Sequence, residues 1–259
     1  MLKALFTAAT GMRAQQTRID VIANNLANVN TTGFKKSLAN FKDLVYTTRQ
    51  EASRGQSLSR PTGLQVGSGA SLVSTTKVFT PGVIEETGQP LDMVIEGQGF
   101  FELVDIDGSP VYSRDGNFKL DAEGSIVNSD GYRLASIGTV EPGASISVSP
   151  EGEINARVGS AAPTLVGQIQ LSNFPNPAGL DALGNNLLKA TEASGSSFTG
   201  SPGSGQGLGR IQSGYLERSN VEVVSELVNL IVSQRAYETN SRAISAADDM
   251  LTTVNQIIN

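Results

Sequence analysis

The chain has 259 residues, 39% of them hydrophobic, with 28 glycines and a net charge of −6 from 19 basic and 25 acidic side chains. Cysteine and histidine are both absent, which excludes disulfides, thiolate or imidazole metal sites and the commonest general base. No stretch approaches the ~18 apolar residues of a membrane span, and no basic stripe offers a footprint for nucleic acid or an anionic membrane.

The start, Met1-Leu2-Lys3-Ala4-Leu5-Phe6, briefly resembles a secretory signal. Thr7, Thr10, Arg13 and Gln15-Gln16 then break the apolar run, so no cleaved signal peptide is expected. Residues 2–28 instead read as a helix. Leu5, Met12, Ile19 and Leu26 recur every seven residues, with Ala8, Ile22 and Val29 between them, a spacing that lines one face of a helix. Lys3, Arg13 and Arg18 against Asp20 give this arm a net +2. The Asn24, Asn25, Asn28, Asn30 and Gly33 cluster follows. Asn and Gly tolerate left-handed backbone angles, so the helix is expected to end here with Gly33 in a tight turn.

Residues 47–57 are polar and without period, which predicts a flexible loop. Leu64-Gln65-Val66 and residues 75–79 read as strands. From 81 to 172, short partly alternating apolar pieces are punctuated by Asp107-Gly108, Asp115-Gly116, Glu123-Gly124 and Asp130-Gly131. An acidic residue followed by Gly supplies the positive backbone angles of tight hairpins, which predicts an antiparallel meander or barrel-like domain. Residues 173–214 are rich in Pro, Gly, Ser and Asn and are expected to form a β-domain edge with a mobile loop.

The last segment carries the strongest pattern. Ser219 and Glu222 are spaced as a capping box. No Pro or Gly occurs from Val221 to Asn259, so the predicted helix is on the order of 60 Å long. Val223, Leu230, Tyr237, Ile244, Leu251 and Ile258 repeat every seven residues, and Leu227, Ile231, Ala247 and Val254 widen the strip. Five carboxylates (Glu222, Glu226, Glu238, Asp248, Asp249) against Arg235 and Arg242 give a net −3, opposite to the first arm. A helix this long outruns the cover its own chain can offer. The apolar residues of both arms, Leu5, Met12, Ile19, Ile22, Leu26, Val223, Leu227, Leu230, Tyr237, Ile244, Leu251 and Ile258, are therefore read as self-assembly faces.

Motifs that could carry chemistry are weak. Asp105-Ile106-Asp107-Gly108-Ser109 lacks the later acidic ligands of a calcium loop and reads as a hairpin turn. Asp121 and Glu123 share a turn rather than the two contrasting environments of a glycosidase pair. The glycines at 203, 205, 207 and 209 have the spacing of neither a phosphate loop nor a dinucleotide fingerprint. No catalytic, metal-binding or cofactor-binding residue is assigned, and no cofactor is expected.

Three separated motifs, in order, resemble the bacterial flagellar axial proteins of rod and hook. These are Asn24-Asn25-Leu26-Ala27-Asn28-Val29-Asn30-Thr31-Thr32-Gly33-Phe34-Lys35, the central pair Ile95-Glu96-Gly97-Gln98-Gly99-Phe100-Phe101 and Tyr112-Ser113-Arg114-Asp115-Gly116-Asn117-Phe118, and the C-terminal Ser219 to Glu238 stretch. Length and the segment 47–66 are most similar to distal-rod members. The resemblance implies an α+β chain: long N- and C-terminal helices pairing as a coiled-coil-like domain, with an inserted all-β domain. The expected divisions are 1–30, 31–80 with a rod-type insert near 47–66, 81–214, and 215–259. It further implies an open helical homopolymer in the basal body that transmits torque and passes exported subunits. Its partners would be other rod proteins, the hook, the peptidoglycan and outer-membrane rings, and the type III export apparatus. The alternatives are a proximal rod or hook-type protein of the same family, a secreted adhesin with a coiled-coil stalk, and a cell-wall glycan hydrolase.

Overall fold

The computed structural model describes residues 2–51, 53–54, 59–60, 62–105, 107–159, 161–204 and 207–258. It is an α+β chain with a helix at each end and antiparallel β structure between them. Helix α1 spans Leu2–Ala27 and helix α2 spans Val223–Ile258. The chain divides into two units, one of Met1–Ala27, Ser37–Thr76 and Glu222–Asn259, the other of Asn28–Lys36 and Lys77–Val221.

In the first unit α1 and α2 pack along each other, together with a two-stranded sheet of Ser37–Asp43 and Ala70–Lys77. The described residues of 47–66, expected in part as a loop, include paired strands. Thr47–Gln50 pairs antiparallel with Leu64–Val66, and Ser53–Arg54 with Ser59–Arg60. Of the loop residues expected at 47–57, Ala52, Gly55, Gln56 and Ser57 lie outside the described residues. The β-branched Thr47, Thr48 and Val66 suit a pleated strand despite the polar composition. Lys3 Nζ donates to Thr47 Oγ1 at 2.8 Å and to the Val66 carbonyl at 3.0 Å, tying the first strand pair to α1.

The second unit is built on one antiparallel sheet, ordered Phe118–Leu120, Ile126–Asn128, Arg133–Leu134, Phe100–Val104, Pro110–Ser113, Leu187–Lys189 and Asp181–Gly184. Leu171–Asn173 pairs with Phe100–Val104 and with Phe198–Gly200. Successive strand residues point to opposite faces. Phe101, Leu103, Val111, Leu171 and Leu187 therefore enter one core with Met93 and Ile154, while Phe100, Tyr112 and Leu188 enter a second with Phe174 and Leu180. The second core is held by edge-to-face rings, Phe79 on Phe100 at 5.2 Å and Tyr112 on Phe174 at 4.8 Å, an arrangement the ring quadrupoles favour. A three-stranded sheet of Ser145–Val148, Glu153–Arg157 and Thr164–Gln168 places Ile154 in the first core.

The Gly-marked turns divide cleanly. At 105–109, 121–125 and 128–132 the first residue's N–H donates to the carbonyl four residues on, and the Gly N–H donates back to the first carbonyl. Gly108, Gly124 and Gly131 have φ of 79°, 79° and 89°, values that suit a residue without Cβ. Within the first of these turns, Ile106 lies outside the described residues. Asp115-Gly116 is a correction: Gly116 is not among the positive-φ residues, and it accepts from Met93 N–H instead of closing a hairpin.

Residues 173–214, expected as a β-domain edge with a mobile loop, contribute edge strands to the sheet. They hold Asp181–Gly184, Leu187–Lys189, Phe198–Gly200 and Arg210–Ser213. Phe174, Leu180, Leu187, Leu188, Leu208 and Ile211 are buried, and these six side chains anchor an otherwise polar stretch. Asn185 and Asn186 turn the chain with φ of 50° and 59°, as Asn tolerates. Gly205 and Gln206 of the expected loop lie outside the described residues.

Candidate assembly surface

The helical unit has an unusual seam. Gly11 of α1 sits so close to Asn240 of α2 that a Cβ there would lie 2.9 Å from its Nδ2. Ile22 and Asn25 line a common cavity with Glu226 and Asn229. Residue numbers rise on one helix as they fall on the other, so the two run antiparallel. The buried positions of α1 are Ala14, Ile22 and Asn25; those of α2 are Glu226, Ser233 and Ala247. Apart from Ile22, these buried positions are small or polar.

The large apolar residues mostly lie elsewhere. Of the expected faces, Ile22 is buried, Leu5, Met12, Ile19, Leu26, Leu230, Ile244 and Leu251 are half-buried, and Val223, Leu227 and Tyr237 are exposed. The Ile258 side chain lies outside the described residues. A straight helix drifts ~20° per heptad against a strict seven-residue repeat, so a strip of this spacing cannot stay on one intrachain seam. On the first three turns of α2, Val223, Val224, Leu227, Val228, Ile231 and Val232 form two exposed rows at four-residue spacing, with Val224 69% exposed.

The predicted capping box is not formed. α2 begins at Val223, and Ser219 Oγ instead accepts from Val221 N–H at 3.3 Å. Glu222 accepts from the Ser225 hydroxyl at 2.9 Å. The helix starts four residues after Ser219, too late for the reciprocal bonds of that motif.

The Asn-rich motif closes the end of α1 and leads into the second unit. Asn25 is 1% exposed. Its side chain donates to the Ser37 carbonyl and accepts from Ser37 N–H, both at 2.9 Å, imitating a strand neighbour. Asn24 is exposed. Asn28 Oδ1 accepts from Thr31 Oγ1 at 3.2 Å, and Asn30 Oδ1 from Arg218 at 2.9 Å. Gly33, at φ 67°, donates to the Glu217 carbonyl at 2.8 Å.

Sequence reading missed the feature beneath that motif. In the second unit Lys35, Arg114 and Glu217 form a buried charge triad, Lys35 Nζ 2.6 Å and Arg114 Nε 3.0 Å from the two Glu217 oxygens. Gly82 N–H donates to Glu217 at 2.7 Å, Lys35 also donates to the Thr80 carbonyl, and Arg114 donates to the carbonyls of Ile95, Gly97 and Gly99. Nearby, Asn220 accepts from Lys36 N–H and donates to the Val78 carbonyl. The segments 28–36, 77–82 and 214–221, through which the chain leaves this unit, are thereby tied together. Burial alone would raise the Glu217 carboxyl, but the Arg114 and Lys35 charges with the Lys35 and Gly82 hydrogen bonds outweigh it and hold the group below its ordinary value. Burial lowers Lys35, opposed by Glu217. Asp115 is pushed up, chiefly by burial.

The turn carboxylates form no cleft. Glu123 pairs with Arg133 at 3.1 Å on the surface, and Asp121 accepts from Ala122 N–H.

Family comparisons match three stretches of the chain. Residues 5–35 match the "Flagella basal body rod protein" model, 94–156 the "Flagellar hook protein FlgE/F/G D1 domain", and 212–257 the "Flagellar basal body rod FlgEFG protein C-terminal". Similar full-length relatives are the flagellar basal-body rod proteins FlgG of Borreliella burgdorferi, 46% identical over 99% of both chains, and of Buchnera aphidicola from Acyrthosiphon pisum, 43% identical over 99% of this chain and 100% of that one. The FlgG of Agrobacterium fabrum is 42% identical over 98% of this chain and 99% of its own.

The chain belongs to the FlgG family of flagellar basal-body rod proteins. It is a structural subunit of the flagellar distal rod, not an enzyme. The triad takes one residue from each matched stretch of this FlgG-family chain: Lys35, Arg114 and Glu217.

Proposed function

We propose that copies of this chain join head to tail into an open helical homopolymer, a heterologous contact that does not close on itself. The paired helices form a coiled-coil-like inner tube, and the β unit forms the outer, barrel-like wall. Expected partners are other rod proteins, the hook, the surrounding peptidoglycan and outer-membrane rings, and the type III export apparatus that delivers the subunit without a cleaved signal. The tube transmits torque and passes later subunits through its lumen.

One observation carries this reading. α2 turns small and polar residues toward its intrachain partner and leaves two rows of Val, Leu and Ile exposed. Covering such rows with another copy yields ~25 cal/mol per Å² of apolar surface removed from water. A neighbouring copy's oppositely charged arm adds little per exposed ion pair but favours the same pairing. Electron microscopy of concentrated protein tests it. Open-ended filaments are expected; a closed oligomer of fixed size would favour the adhesin-stalk reading.

A further inference from the structure

Glu226 is 5% exposed, yet its carboxylate makes no hydrogen bond or ion pair with any described residue. It lines a cavity of about 270 Å³ within the helical unit, with Arg18, Ile22, Leu38, Phe41 and Asn229 among its walls. The Arg18 guanidinium and the Asn229 carboxamide also lack a side-chain hydrogen bond or ion pair among the described residues. Burying a charge without a partner is costly, and such groups are normally paired or hydrogen-bonded. Arg18 and Asn229 are half-buried, and the Glu226 oxygens still reach the solvent of the cavity, so all three polar groups are free to bond to a group that enters it.

We propose that this cavity receives a side chain from a second copy of the chain. This rests on the homopolymer reading above. The chemistry of the walls specifies the visitor. A carboxylate and a guanidinium together are complemented by a neutral tip that both donates and accepts, a hydroxyl or carboxamide. Ile22, Leu38 and Phe41 require an apolar stem behind it. Leu38 and Phe41 are themselves exposed, 46% and 39%, and on α2 the exposed Val223 and Leu227 flank Glu226 in sequence. The cavity is thus a polar socket bordered by the apolar surface that assembly covers, and it fixes register where the apolar rows alone would let copies slide. An incoming side chain satisfies Glu226 and the half-buried Arg18 at once; a slipped neighbour covers both without giving either a partner.

The test is the critical concentration for polymerisation of the full chain, read by sedimentation, for wild type, Glu226→Leu, Glu226→Gln and the exposed control Asp248→Asn. Circular dichroism reports folding. Both Glu226 variants are expected to stay folded and to raise the critical concentration by about tenfold or more, with Asp248→Asn unchanged. Glu226→Gln keeps shape and keeps the test decisive if the Leu variant misfolds. Wild-type polymerisation with both Glu226 variants assembling equally well overturns the socket alone, as a cavity that holds only solvent. An equal rise in Asp248→Asn also overturns it, by making net charge the cause. Failure of wild type to polymerise at any concentration overturns the homopolymer reading, and the socket with it.

Discussion

The two units of this chain solve opposite problems. The β unit buries Phe, Leu, Ile and Met in two cores and seals even its charges, with Glu217 held by Lys35, Arg114 and a backbone N–H. Among the described residues of its two helices, the helical unit buries Ala14, Asn25, Ser233, Ala247 and Glu226 with one large apolar side chain, Ile22, and leaves Val223, Val224, Leu227, Val228, Ile231 and Val232 exposed. The β unit is finished by its own residues; the helical unit leaves apolar surface for other molecules to cover. Where the large apolar side chains go, inward or outward, separates a part that folds from a part that assembles.

That contrast can be broken at either end. The largest effect is expected in the β unit. Glu217→Ala leaves Lys35 and Arg114 buried, alike in charge and unpaired, and should cost about 3–5 kcal/mol, measured by urea unfolding of the full chain. In the helical unit, Asn25→Ala strands the Ser37 backbone groups and should cost about 1–3 kcal/mol by the same measurement.

A smaller effect is a pH dependence. Glu217 is depressed in the fold, so its contribution is complete above its ordinary value of 4.5 and is lost as pH falls through the lower folded value. Asp115 is raised above its ordinary 3.8, so the folded chain gains stability as pH falls through that raised value. Asp115→Asn should remove the gain and leave the acid loss intact, read from melting temperature against pH.

The smallest effect on folding is the most informative about assembly. Leu227→Asp with Ile231→Asp should change monomer stability by no more than about 0.5 kcal/mol each, as exposed sites do, while abolishing filaments in sedimentation and microscopy.

Much of this was legible in the sequence. Both helices announce themselves by apolar period and by α2's freedom from Pro and Gly. The hairpin turns at Gly108, Gly124 and Gly131 follow from their acidic-Gly pairs. The edge character of 173–214 was legible, but average composition hid the placement of its few apolar residues: Leu187-Leu188 reaches both cores, one residue on each face of its strand. Heptads report where large apolar residues lie, not which molecule covers them, so the buried seam positions Ala14, Asn25 and Ser233 were not legible from that spacing. The charge triad was out of reach, since Lys35 and Glu217 are 182 positions apart and nothing local in a Leu-Glu-Arg run distinguishes a buried carboxylate from a solvated one. Glu226 counted in the sequence only as one of the second arm's carboxylates; its burial depends on strand Ser37–Asp43 and α1, which line the same cavity.

The most direct test of the central contrast is backbone hydrogen exchange across residues 223–251, in dilute monomer and in polymer. α1 and α2 pack on each other with Ile22 as the one large apolar side chain buried among their described residues, and helices with so little apolar cover are marginal in water. Rapid exchange in the monomer, strong protection in the polymer and steady protection of the β unit in both are predicted. Strong protection across 223–251 already present in the dilute monomer would contradict the account.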